Sequence, residues 1–169
     1  LGARLITKQK RLFDCVMPCA GADAFLVMSE ERARRLGLPH ARLTCAIERH
    51  NAYPDDPVQH RGGWAMDRDQ LYAAAGIGPA DIDVIEVYDD YPVVCVFQIE
   101  DLGFCAKGEG PEFIRRHSFE ANGSFPFNTS GGQLSVGQAG AAGGTLGLVE
   151  AIRQVTGQAA AQVDDVRHA

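Results

Sequence analysis

Strand-like and helix-like patterns alternate along this chain. From Cys19 to Met28, small and apolar residues, with Ala22, Ala24 and Phe25 leading into Leu26-Val27-Met28, predict a buried strand. Ser29 then offers an N-cap, Glu30 and Glu31 an acidic first turn, and Arg32, Arg34 and Arg35 a basic last turn. Gly37 and Pro39 supply the stop, so a helix is predicted between them and Ser29. Arg42 to Arg49 alternates around Leu43, Cys45 and Ile47, which predicts a second strand, and the Pro- and Gly-containing stretch Asn51 to Gly63 a loop. Trp64 to Ala75 reads as a helix ended by Gly76.

A short turn, Pro79 to Asp83, feeds the β-rich run Val84-Ile85-Glu86-Val87-Tyr88, which breaks at Asp89-Asp90-Tyr91-Pro92. Pro92 suits a first helical turn, and Val93 to Leu102 predicts a buried helix closed by Gly103, with its β-branched content leaving strand as the alternative. Ala106 to Phe127 reads as an excursion from the core. The stretch Asn128 to Gly144 holds six glycines in seventeen residues, a composition that implies close backbone approach. A helix follows with Leu146, Val149, Ile152 and Val155 on one face, ended by Gly157. Strand-helix alternation of this kind predicts an α/β fold with a mixed sheet packed by helices.

Composition narrows the function classes. The 169 residues are 46% hydrophobic and 22% charged, with a formal net charge of -6, so a broad basic surface for nucleic acid or anionic lipid is not indicated. No apolar run approaches the roughly 20 residues of a membrane span. Five cysteines, an odd number, show no second Cys or His pair to complete a zinc site with Cys15 and Cys19. That usage points to a reducing cytoplasm, with Cys15 and Cys19 buried as small hydrophobes. The ends read as those of a fragment: residues 1–12 as an approach segment, and 13–169 as a domain stopping where another strand is due.

Two strand-to-helix junctions combine backbone exposure with polar side chains, and both belong at the sheet end where open α/β folds bind ligands. Glu86 to Pro92 can deliver two phenols and two carboxylates into a cleft, or Asp89 or Asp90 can simply cap a helix while the tyrosines pack at a core edge. The glycine-rich stretch runs into a helix beginning near Ala139 to Gly143, whose free N–H groups can hold a thioester oxygen, a phosphate or an enolate, or merely pack against a strand. It matches no nucleotide-binding fingerprint. The five histidines, His40, His50, His60, His117 and His168, are scattered and read as solvated or capping. Arg115-Arg116 reads as an exposed basic pair, with contact to CoA phosphates as the alternative.

The order of a small-residue segment (Ala20-Gly21-Ala22-Asp23-Ala24), a strand ending in Glu-x-x-Asp (Glu86 to Asp89), and Asn-x-Ser-Gly-Gly followed by Gly-Gln-Ala resembles the C-terminal half of thiolase-superfamily enzymes. The sterol-carrier-type lipid-transfer branch is nearest. The resemblance runs from about Phe13 to Ala169. It implies a layered thiolase-like fold, a homodimer and chemistry on coenzyme A thioesters, with no covalently bound cofactor.

The sequence departs from a working thiolase at both motifs. Where thiolases carry Asn-Glu-Ala-Phe, whose Asn holds a water beside the thioester, Tyr88 stands in the Asn position, followed by Asp89, Asp90 and Tyr91. Where they carry Gly-His-Pro, this chain has Gly137-Gln138-Ala139. Gln exchanges no proton near neutral pH, yet its amide can donate to an oxyanion. This pattern resembles the thiolase-related aldolases that shorten steroid side chains, which split a β-hydroxyacyl-CoA and work with a partner bearing an OB fold and a zinc ribbon. The resemblance makes Tyr88, Asp89, Tyr91 and Gln138 the catalytic candidates. Asp90, Ser130, Gly131, Gly132 and Ala139 become substrate-binding candidates. Retro-aldol cleavage is the first reading. A thiolase or acetyl-CoA acyltransferase that replaces the His, and a noncatalytic acyl-CoA- or lipid-binding homologue, are the alternatives.

Overall fold

The computed structural model describes residues 2–169; Leu1, at the head of the expected approach segment, lies outside the described residues. Among the described residues six α-helices carry the architecture: α1 (Glu30–Arg35), α2 (Trp64–Ala75), α3 (Pro92–Asp101), α4 (Gly110–Arg116), α5 (Gly132–Val136) and α6 (Leu146–Val155). Local chemistry sets their ends as expected. Ser29 caps α1 by accepting from the Arg32 N–H, Gly76 ends α2 at φ 74°, and Pro92 opens α3. Helix α4 lies within the stretch expected to be irregular. Pro111 in its first turn, Glu112 near its start and Arg115-Arg116 in its last turn account for it.

No strand forms among the described residues, so the expected mixed sheet is replaced by isolated bridges. Residues 19–28 and 42–49, expected as strands, carry no regular structure, and Leu26, Val27 and Leu43 stand 83, 87 and 76% exposed. A strand needs a neighbour for its N–H and C=O groups, and among the described residues the only backbone bond either segment makes is from Cys19 N–H, at the edge of the first, to Gln138 O. The stretch 84–88 comes nearest to a strand. Ile85 N–H donates to Pro126 O and Asn128 N–H to Ile85 O, a single parallel bridge, while Asp83 N–H on the other flank donates to His168 O at 2.9 Å.

The core lies around this stretch. Val84, Ile85 and Val87 are buried with Ile99 of α3 and Val149 of α6. Beside it, Phe104, Phe113, Phe119, Phe125 and Phe127 form a chain of edge and tilted ring contacts that anchors residues 104–127. His117 stacks on Phe113 at 4.0 Å between centroids and pairs its Nδ1 with Phe113 O, which makes it part of that cluster.

Candidate functional site

Backbone constraints bring the two motifs together. Extended chain at 84–88 would leave Tyr88 loosely held, but Gln98 of α3 grips it as a neighbouring strand would. Its Oε1 accepts from Tyr88 N–H at 3.1 Å, and its Nε2 donates to Tyr88 O at 2.7 Å. Asn128 does the same one residue earlier, its Oδ1 accepting from Val87 N–H at 2.7 Å. Both residues are buried; Gln98 Nε2 donates also to Val94 O, and the Asn128 carbonyl oxygen is satisfied by the segment it holds. On the other side, residues 16–19 run between the motifs. Val16 N–H donates to Asp90 O, Gln138 N–H to Met17 O, and Cys19 N–H to Gln138 O. Gly137 permits this approach: its φ is 100°, and a Cβ there would lie 2.9 Å from Cys19 Cβ.

The result is a direct contact. Gln138 Nε2 donates to the Tyr88 hydroxyl at 2.5 Å across 50 residues of sequence. The Tyr88 ring is 40% exposed. Burial of the hydroxyl and the adjoining Asp90 carboxylate push its pKa above the ordinary phenol value, against a smaller opposite pull from Gln138. At neutral pH this phenol therefore keeps its proton.

Asp89 points elsewhere. It is 4% exposed, and its two oxygens accept from Gln133 N–H at 2.8 Å and Leu134 N–H at 3.2 Å. It caps α5 from a remote segment, doing the work that Gly131 at the N-cap position cannot do. The helix N-terminus nearest the motifs is thereby filled by a carboxylate of the chain itself. The stretch expected to begin a helix near Ala139 is instead a 3-10 turn, Gly140–Thr145, that leads into α6. Gly132, at φ 63°, is enforced by the cap, since a Cβ there would run into Asp89 Oδ2 and lie 2.8 Å from Asn128 Nδ2.

The remaining candidates divide. A cavity of about 80 Å³ is lined by Glu86, Tyr88, Asp89, Ser130, Gly132 and Gln133 among others. Asp90 has a buried Oδ1 without a hydrogen-bond partner, and so does the amide oxygen of Gln133, a residue 2% exposed. Gly131 forms the exposed N-cap of α5, and Ala139 the N-cap of the 3-10 turn. Tyr91, like Asp90, Gly131, Gln138 and Ala139, is absent from the cavity lining. It sits at the N-cap of α3 with Lys10 Nζ 3.8 Å from its ring centroid.

Other expectations fall outside this site. Cys19 is exposed rather than buried, because its segment has no covering layer, and Cys15 is half-buried. Arg115 and Arg116 both pair with Glu112 within α4. No group of three or more potential metal ligands occurs among the described residues, and no helix among them is long and apolar enough to cross a membrane.

Sequence reasoning passed over Gln98, Asn128, Thr129 and Gln133 as individual site residues. A signal was present for Gln98, a single neutral polar residue in the apolar run Val93 to Ile99. Glu86 entered only as the first residue of a motif. It accepts from Thr129 N–H at 3.0 Å and pairs with Thr129 Oγ1 at 2.8 Å. Burial, with help from the Glu150 and Asp89 charges, raises its pKa to about 7 against the Thr129 hydrogen bonds.

Comparison with known proteins agrees with this architecture. Residues 56–169 match the family described as thiolase C-terminal domain-like. The chain is 36% identical over 171 residues to a steroid side-chain-cleaving aldolase of Thermomonospora curvata, covering 97% of this chain and 43% of the relative. It is 34% identical over 173 residues to 17-hydroxy-3-oxo-4-pregnene-20-carboxyl-CoA lyase of Mycobacterium tuberculosis, covering 98% and 44%. Among solved structures, the Ltp2-ChsH2(DUF35) aldolase superposes with a TM-score of 0.75 at 31% identity, over 98% of this chain and 44% of that one. The chain thus spans less than half the length of these relatives. With both motifs, their convergence and the fold all in agreement, the chain belongs to the thiolase C-terminal domain-like family and has a thiolase-like fold.

Proposed function

We propose that this chain is the C-terminal part of an aldolase that splits a β-hydroxyacyl-CoA by retro-aldol cleavage. The hydrogen bond from Gln138 to the Tyr88 hydroxyl carries the reading. It puts an amide donor and a protonated phenol side by side, in the motif positions where thiolases resembling this chain use His and Asn. Both groups suit the stabilisation of negative charge on a thioester oxygen. Neither suits the proton exchange that a Claisen reaction asks of a His.

In this scheme a carboxylate takes the proton of the β-hydroxyl, the bond between the α- and β-carbons breaks, and the electron pair passes to an enolate on the thioester. Tyr88 and Gln138 donate to the enolate oxygen, and the proton returns to the α-carbon to release a shorter acyl-CoA and a ketone or aldehyde. Asp90, beside the phenol with an unpartnered oxygen, is a better base than Asp89, which is committed to α5. Ser130, Gly131, Gly132 and Ala139 line the approach of the thioester. No covalent cofactor enters the scheme.

The two named relatives, an aldolase and a CoA lyase, support this chemistry, and the name of the former makes a steroid side chain the favoured acyl group. The Ltp2-ChsH2(DUF35) structure supports an association with a partner of the OB-fold and zinc-ribbon type. Homodimerisation, a cytoplasmic location and completion of the mixed sheet by residues beyond this chain belong to the same reading. The exposed Leu26, Val27 and Leu43 supply apolar surface for such completion. The test is product analysis with the full-length protein and its partner. Retro-aldol cleavage yields a ketone or aldehyde plus a shorter acyl-CoA without added CoA. Products that appear only with free CoA would establish thiolysis instead, and binding without turnover a noncatalytic homologue.

A further inference from the structure

Proton counting around Thr129 exposes an arrangement that the proposed chemistry does not use. Its Oγ1 lies 2.8 Å from Glu86 Oε1, 2.9 Å from Glu150 Oε1 and 2.9 Å from Gln154 Nε2. Gln154 must present its NH₂ group here, because its Oε1 accepts from the Val163 backbone N–H at 3.0 Å, which cannot act as an acceptor. Thr129 therefore has one hydrogen left for two carboxyl groups. One carboxyl has to bring its own.

We propose that Glu86 and Glu150 hold a single proton between them across the Thr129 hydroxyl, and that they are positioning residues fixing the Asn128–Gly132 loop against α6. With the proton on Glu86, each contact at Thr129 has a donor and an acceptor, and Gln154 Nε2 gives its other hydrogen to Ala161 O at 2.8 Å. Glu86 donates to Thr129, Thr129 donates to Glu150, Gln154 fills the second lone pair of the hydroxyl, and Thr129 N–H donates to Glu86. The proton is placed on Glu86 because the nearest positive charge, Arg153 Nη1, stands 3.8 Å from Glu150 Oε2 and has no counterpart beside Glu86 among the described residues. Asp89 on the same segment adds a like charge, and Gly147 of α6 closes against Glu86 Cβ. The upward shift of Glu86 to about 7 agrees with this placement. Once Glu86 ionises, one of the two carboxylates must face the lone pairs of Thr129, and the loop keeps only the Gln154 bond and one carboxylate bond of the three that hold the hydroxyl. The loop matters to the site because it supplies Asn128, which holds Val87, and leads into the N–H groups that Asp89 caps.

The shared proton is independent of the aldolase chemistry and can be detected without turnover. Infrared titration of the full-length protein should show a buried carboxylic-acid C=O band that disappears with a midpoint near pH 7. E86Q should remove the band. E150Q should keep it and lower its midpoint by about one pH unit or more, since a neighbouring negative charge is gone. At about pH 8, hydrogen exchange of the 128–134 amides should be about tenfold slower in E86Q than in the parent, because Gln supplies a permanent donor to Thr129. No band near neutrality, or a band that survives E86Q, overturns the shared proton. An unmoved midpoint in E150Q overturns the coupling, and equal exchange rates overturn the positioning role. Should E86Q fail to fold, the E150Q midpoint and the parent band decide the matter. Retro-aldol turnover without the band would uphold the proposed function and sink this inference, and the converse result would do the opposite.

Discussion

Replacing Asp89 separates a capping carboxylate from a catalytic one. In the structure its two oxygens each accept a backbone N–H of α5 inside a buried pocket, so Asp89→Ala removes two charge-assisted hydrogen bonds and leaves two donors without partners. Such bonds contribute about 1.5 to 3 kcal/mol each, which places the expected loss at about 3 to 6 kcal/mol. Asp89→Asn keeps one acceptor but turns an NH₂ toward the other N–H, so about half that loss is expected. Urea unfolding of the full-length protein checks both, with a lowered midpoint at unchanged slope as the expected result. If Asp89 only positions the loop, folded Asp89→Asn should retain turnover to within about tenfold, below the 10² to 10⁴ typical of an acid-base group. An Asp89→Asn protein as stable as the parent, yet slower by more than 10², would refute the assignment and return Asp89 to the catalytic set.

Tyr88→Phe is expected to lower turnover of a β-hydroxyacyl-CoA by about 10² to 10⁴ with little change in stability, while Tyr91→Phe, whose ring packs under Lys10, should stay near parental activity; steady-state kinetics of the pair checks this. Gln138→Ala should cost about 2 to 4 kcal/mol of transition-state stabilisation and weaken binding less, read as a drop in kcat with a smaller change in KM. Gln138→His should not create CoA-dependent thiolysis of a 3-ketoacyl-CoA; its appearance would move the reading to a thiolase. Gly132→Ala should disrupt α5 through both its positive φ and the collision with Asp89, visible as a lowered Tm. Glu86 has a folded-state pKa above its ordinary value, so its contribution to stability is complete below about pH 4.5 and declines as pH rises through about 7. That decline should be about 3 kcal/mol in the parent and absent in Glu86→Gln, measured by urea unfolding at several pH values.

The sequence by itself determined those features whose causes lie within a few residues. Ser29, Gly76, Pro92, Gly103 and Gly157 mark helix boundaries because caps, positive φ and the missing proline N–H act locally. The two motifs were legible in the same way, since Glu86 to Pro92 and Gly137-Gln138-Ala139 depart from their surroundings in residue type. Strands could not be settled locally. Residues 19–28 and 42–49 have the right pattern, but a ladder requires a second segment at the right register, and among the described residues their backbone pairing stops at the single bond from Cys19 N–H to Gln138 O. Tertiary structure alone decided which polar side chain does what. Asp89 and Asp90 are adjacent and chemically identical, yet one is turned inward to cap α5, 43 residues further on, and the other lies beside the Tyr88 phenol. Tyr88 meets Gln138 because Gln98, Asn128 and residues 16–19 fix two backbones side by side, and Glu86 shares a hydroxyl with Glu150 because α6 packs against the same loop. These contacts span 10 to 64 residues and more, and no periodicity or spacing encodes them, because each depends on where the chain returns in space and not on the neighbours it has in sequence.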